Sequence, residues 1–267
     1  MSYKFIDEGR KHLHTFKGQP LYGTSTVCGI LAKPLTWWAA GMAVEKFGWL
    51  SDKKHPVEVV KQAAKDGWER VKSLSLKDYE KLLTEAYRAH NEKKKDSAEA
   101  GVDMHAELEK YVKECLANEG KPIVSDTAQM WQVDQFSKWA IANVDKFLFS
   151  EGHTYSEKYW VGGIVDAGAL MKSGRVAVLD FKSSKDAYYS QGIQCAGYAL
   201  QIEEKGIVSN EGVQLLDPMK VEEIIVVPFG SENIVPTAIQ NVDGFKEAFV
   251  GALQNYVLNQ AFENRNK

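Results

Sequence analysis

The chain has 267 residues, 44% of them hydrophobic and 26% charged, so it can bury a full core without staples and is far from a disordered or collagen-like composition. A formal net charge of −3 offers no global attraction to a polyanion, and any nucleic-acid surface must therefore be local. Cys28, Cys115 and Cys195 are scattered, with no C-x-x-C pair, which argues against a disulfide framework or zinc knuckle and for a reducing, cytoplasmic setting.

The opening Met1-Ser2-Tyr3-Lys4 leads into polar sequence with no apolar signal region, and nothing later has the length of a membrane span, so no membrane association is expected. Three helices are predicted over Thr36 to Leu50, Pro56 to Leu74 and Leu76 to Lys95, with Pro56 near a first turn and Ser75 as an N-cap. The polar tract Asn91 to Asp96 reads as a solvated helix end or linker, and a subdomain boundary is placed there. A helix from Ser97 to Asn118 follows, with Met104, Leu108, Tyr111 and Cys115 spaced as one apolar stripe and Gly120 and Pro122 ending it. Another is predicted from Thr127 to Phe149.

The pattern then changes to strands at His153 to Val161, Gly163 to Met171 and Arg175 to Lys182, the last two joined by a tight turn at Lys172-Ser173-Gly174. A helix over Ala187 to Lys205, a strand over Val221 to Phe229 and a helix over Val242 to Phe262 complete the chain. A small mixed sheet flanked by helices makes residues 96–267 an α+β (α/β) domain, and residues 1–95 a helical extension.

Chemistry concentrates at Asp166 and at Asp180-Phe181-Lys182. An acidic residue two before a lysine occurs five times in this chain, starting at Asp52, Glu92, Glu119, Asp180 and Glu203, so the triplet alone says little. Asp180 differs because it ends the apolar run Val176 to Leu179. Residues two apart share a strand face, so Asp180 and Lys182 point the same way. A hairpin centred on Ser173 sets Asp166 opposite Asp180, where two carboxylates repel unless a divalent cation lies between them. The plainer reading is an edge-strand aspartate beside a surface Asp180–Lys182 salt bridge.

Four ordered motifs bear on that choice: Gly101-Val102-Asp103-Met104-His105 on a helix, Gly163-Ile164-Val165-Asp166 and Asp180-Phe181-Lys182 on strands, and Gln194-Cys195-Ala196-Gly197-Tyr198 on a helix. Together they resemble the G-x-x-x-H, G-x-x-D, D/E-x-K and Q-x-x-x-Y series of the RecB-like branch of the PD-(D/E)XK nuclease superfamily, over about Ala98 to Phe229. Thr24 to Trp49 also looks like the opening helix of phage-encoded members.

The resemblance implies a restriction-endonuclease-like core, a metal-dependent DNA exonuclease or single-strand-processing activity, and a role in phage or bacterial recombination with a partner protein. It makes His105, Asp166 and Asp180 ligands of Mg²⁺ or Mn²⁺, with the Phe181 carbonyl as a fourth. It makes Lys182 the residue that positions or deprotonates the attacking water, with Gln194 and Tyr198, one turn apart, steadying Lys182 or a DNA phosphate. Some relatives hold an iron–sulfur cluster, but no cysteine follows Cys195 to complete a set, and there is no G-x-x-x-x-G-K-[ST] loop for ATP. Rival readings are a structure-specific endonuclease on the same core and a catalytically silent nucleic-acid-binding module.

The outer members have plainer uses. A lone helical histidine is more often structural, Glu109 and Glu157 read as surface charge before supporting carboxylates, and Trp37, Trp38, Trp49 and Trp68 read as core before base-stacking groups. Residues 1–95 are expected to pack over the active-site face and leave a covered channel, which favours single-stranded DNA with a free end as substrate.

Overall fold

The structure is a computed structural model that describes residues 3–7, 12–31, 36–125, 131–231 and 233–265, with 93–103 described by their backbone. The described elements run in order from strands β1 (Tyr3–Asp7), β2 (His12–Phe16), β3 (Gln19–Pro20) and β4 (Tyr22–Gly23) to helices α1 (Thr24–Cys28), α2 (Thr36–Glu45), α3 (Val57–Lys72), α4 (Leu76–Ala117) and α5 (Trp131–Asn143). Then come β5 (Val144–Ser156), β6 (Val161–Met171), β7 (Val176–Lys182), α6 (Tyr189–Lys205), β8 (Ile207–Val208), β9 (Gln214–Leu216), β10 (Glu223–Pro228), β11 (Thr237–Ile239) and α7 (Val242–Asn264). The fold class is thus α+β, with a mixed sheet.

The chain divides into two compact units, Met1–Ala32 with Gly101–Lys267, and Lys33–Ala100. The boundary near residue 100 lies close to the one expected, but residues 1–32 belong with the sheet-bearing unit and not with a helical extension. Their short strands carry too few residues to show a period-two pattern, which is why they escape a reading by periodicity. The same holds for β8, β9 and β11.

Two expected boundaries move. The tract Asn91 to Asp96 lies within α4, which runs unbroken from Leu76 to Ala117; lysine and glutamate are good helix formers, and polarity without Gly or Pro does not stop a helix. The helix expected to reach Phe149 instead ends at Asn143, and β5 begins at once with Val144. Residues 126–130, where that helix was predicted to start, lie outside the described residues.

The large sheet has the order β11-β10-β7-β6-β5-β8-β9, with β4 pairing β6 beyond the reach of β7. β5, β6 and β7 are antiparallel neighbours, while β7 and β10 are parallel. The stripe Met104, Leu108, Tyr111 and Cys115 of α4 is buried, and with Val133, Phe136 and Ala140 of α5 it packs on Ala167, Leu179, Phe181 and Val227 of the sheet. α6 packs Cys195, Ala196, Tyr198 and Ala199 on Val165, Val178, Ile224 and Val226. The β6–β7 pairing brings Ala167 opposite Leu179 and Ala169 opposite Ala177, the register expected from the turn at Ser173, so Asp166 and Asp180 stand one step beyond the last pair. No single helix among the described residues is long and apolar enough to cross a membrane.

Candidate metal centre

Three adjacent strands deliver three carboxylates in a row. β5 and β6 pair Ser150 with Ala167 and Gly152 with Val165, which places Glu151 across from Asp166, and Asp166 in turn stands across from Asp180. Glu151 sits at φ +50°, an uncommon backbone for a residue with a side chain.

α4 supplies His105 from its last turns, with Nε2 3.2 Å from Asp166 Oδ1, and the imidazole stands edge-on to the Phe181 ring at 5.7 Å. The other oxygen of Asp166 accepts a hydrogen bond from the Phe181 N–H at 2.6 Å. Ligand atoms of His105, Glu151 and Asp166 all lie within 4.8 Å of one another, a spacing that could hold a metal ion.

Asp180 stands beside this group and outside it. It is 1% exposed, and Lys182 Nζ lies 2.7 Å from its Oδ2. On the α6 side, Gln194 Nε2 donates to Tyr198 Oη at 2.9 Å and reaches Asp180 Oδ1 at 3.5 Å. Gln194 therefore links Tyr198 to Asp180, the partner of Lys182. The motif residue Gly163 explains how Tyr198 comes so near the strand. A Cβ there would lie 2.5 Å from Tyr198 Cε1, closer than packed carbons approach.

The electrostatics follow from burial and proximity. Burial pushes Glu151 up to about 7, reinforced by the negative charges of Asp166 and Glu109. His105 is raised by its hydrogen bond to Asp166, against the opposing effect of burial. Burial raises Asp180, while Lys182 pulls it down. For Lys182 burial disfavours the charge, but Asp180 and Asp166 outweigh it and hold the amine above its ordinary value.

The structure brings together His105, Asp166 and the Phe181 backbone, and separately Asp180, Lys182, Gln194 and Tyr198. Glu151 was not anticipated. Pairing β5 with β6 by the hairpin rule would have found it, had residues 144–149 been read as strand. The two carboxylates considered as supports do other work: Glu157 pairs with Lys205 at 2.6 Å and Lys17 at 3.6 Å, and Glu109 pairs with Lys113. Gly101 lies on the α4 backbone four residues before His105. The tryptophans expected in the core are open to water instead: Trp37, Trp38, Trp49 and Trp68 are 90%, 37%, 46% and 63% exposed.

No known protein family and no curated protein matches the chain.

Proposed function

We propose that the chain is a divalent-cation-dependent nuclease that hydrolyses phosphodiester bonds in DNA, as an exonuclease or single-strand-processing enzyme. The observation that carries the reading is the convergence of His105, Glu151 and Asp166 within 4.8 Å, beside the buried Asp180–Lys182 ion pair. The four ordered motifs of the sequence support it.

The residues fit a hard cation. Three carboxylates side by side on one sheet repel one another unless a cation offsets them, and among the described residues the one ammonium paired with them, Lys182, lies on Asp180. Oxygen ligands with one imidazole suit Mg²⁺ or Mn²⁺, the imidazole leaning toward Mn²⁺. His105, Glu151 and Asp166 would hold the ion, with Asp180 and the Phe181 carbonyl completing its surroundings. When bound, it would activate water and neutralise charge on the phosphoryl group.

The chain's own groups divide the remaining work. Lys182, paired with Asp180, offsets negative charge developing on phosphorus and positions or deprotonates the attacking water. Gln194 and Tyr198 keep Asp180 in place from the α6 side. The test is incubation of the full chain with end-labelled linear and covalently closed DNA in Mg²⁺ or Mn²⁺. Release of nucleotides from linear single strands, abolished by Asp166→Asn, is the expected result. Rapid cutting of closed single-stranded circles would replace the exonuclease mode with an endonuclease, and inert substrates under all conditions would refute the nuclease reading.

A further inference from the structure

In the unit Lys33–Ala100 the tryptophans face water to an unusual degree. A tryptophan 63% or 90% exposed leaves a large apolar ring in solvent, and such rings mark binding surfaces when they are grouped with suitable neighbours. Trp68 has those neighbours. Lys61, Lys65, Trp68 and Lys72 follow one another along α3 at intervals of four, three and four, which aligns them as one stripe of a helix with 3.6 residues per turn. All four are exposed.

The other side of α3 is what holds the helix in place. Val60, Ala63 and Val71 are half-buried and Gly67 is buried. A Cβ on Gly67 would meet the Phe47 carbonyl oxygen at 2.1 Å and Gly48 Cα at 2.8 Å, so backbone lies directly against that face. The lysine–tryptophan stripe is thus surplus to the packing of its unit. Lys72 is paired with Glu69 at 2.9 Å, whereas Lys61 and Lys65 make no ion pair among the described residues. Residues 33–100 carry 14 Lys and Arg against 11 Asp and Glu, a formal +3, while the rest of the chain, with 19 against 25, is −6. Positive charge and exposed indoles are concentrated in the same unit.

We propose that the α3 stripe is a docking track for a single-stranded polynucleotide, with a base stacked on Trp68 and backbone phosphates on Lys61, Lys65 and Lys72. The combination selects this partner. An acidic peptide needs the amines but not the indole, an apolar protein surface is not complemented by lysines on both sides of the ring, and a duplex keeps its base faces covered. Single strands offer both groups at once, and stacking on an aromatic ring is tolerant of sequence. The use of the track rests on the nuclease reading, because it would retain a strand whose phosphodiester bonds are cut; its existence does not.

The test is fluorescence anisotropy of the full chain in EDTA, where no metal-dependent cleavage intrudes, with labelled oligo(dT) and oligo(rU) of about 20 nucleotides, longer than common single-strand footprints, and a duplex of equal length. Trp68→Ala is expected to weaken binding to the single strands about tenfold, and Trp68→Phe to retain most of it. Lys61→Ala/Lys65→Ala, confined to exposed side chains and safe for folding, is expected to lower the slope of log K against log salt by about 1.4, two phosphates' worth. Binding of either oligonucleotide through the stripe sustains the proposal, and their ratio names the preferred strand. No binding by the parent, unchanged binding in both sets of variants, or equal loss on duplex and single strand would overturn it. The two readings fail separately: a parent that binds through the stripe but cuts nothing in Mg²⁺ or Mn²⁺ loses the nuclease and keeps the track, and stripe variants that bind and cut like the parent lose the track alone.

Discussion

Adding one methyl group at Gly163 should disturb the site without touching any charged residue in it. The Cβ of Gly163→Ala would lie 2.5 Å from Tyr198 Cε1, 3.2 Å from its Cδ1 and 3.1 Å from Thr24 Oγ1, against an ordinary carbon–carbon contact of about 3.5–4.0 Å. The ring must retreat by ~1 Å, yet it is only 5% exposed and is packed among Val165, Cys195 and Ile202. Overpacking of this kind costs ~1–3 kcal/mol, which at an ordinary urea slope moves the unfolding midpoint by on the order of 1 M. The displaced hydroxyl also leaves Gln194 Nε2, now 2.9 Å away, so that cleavage should fall about fivefold, the equivalent of one neutral hydrogen bond of ~1 kcal/mol. The assay is a double-mutant cycle by urea unfolding with Tyr198→Ala, in which removing the ring relieves the clash and the two substitutions couple by ~1–2 kcal/mol. Additivity within ~0.5 kcal/mol would show that the ring is not what holds the glycine, and the account of this motif would be wrong.

Lys182→Ala is expected to bind Mn²⁺ by calorimetry and to lose most turnover, while the metal-free protein loses ~3–5 kcal/mol because Asp180 is left buried without its counter-charge; failure to bind Mn²⁺ alongside normal binding by His105→Ala would reverse the assigned roles. Glu151 carries a carboxyl raised to about 7, so its ionisation costs the metal-free fold stability as pH climbs from the ordinary carboxylate range through about 7. Glu151→Gln should therefore match the parent near pH 4, exceed it by ~1 kcal/mol at pH 8 after allowing for partial exposure, and lose most of the thermal stabilisation that Mn²⁺ gives the parent; a metal shift equal to the parent's would remove Glu151 from the site. His14 is pulled down to about 4 by burial and by His153 and His12, with Tyr3 Oη 2.6 Å from its Nδ1. Its neutral form is the folded one, so stability is complete above the ordinary histidine range and falls by about 3 kcal/mol as pH drops through 4. His14→Phe should flatten that acid limb in pH-dependent urea titrations, and an unchanged limb would place the proton uptake elsewhere.

Periodicity and turn chemistry carried a good part of this molecule. The α4 stripe, the Lys172-Ser173-Gly174 turn and the β6–β7 register are local patterns, set by side-chain spacing and by the backbone that a tight turn allows. They suffice to stand Asp166 near Asp180 and to point Lys182 the same way. Element boundaries were harder, because residues 91–96 are polar yet good helix formers, and residues 144–149 suit either a helix or a strand until neighbouring strands pair with them.

Only the tertiary structure decided the composition of the site. Glu151 has no motif around it, and it joins His105 and Asp166 because β5 lies against β6 in one register and α4 brings His105 to Asp166; each is a long-range contact that no window of sequence contains. Tyr198 reaches Asp180 through Gln194 because Gly163 leaves room for its ring on β6. The exposure of Trp68 was likewise hidden, since an apolar residue at helical spacing reads the same whether its face meets a core or water. Sequence thus determined which residues could share a strand or a helix face, and packing determined which of those faces met.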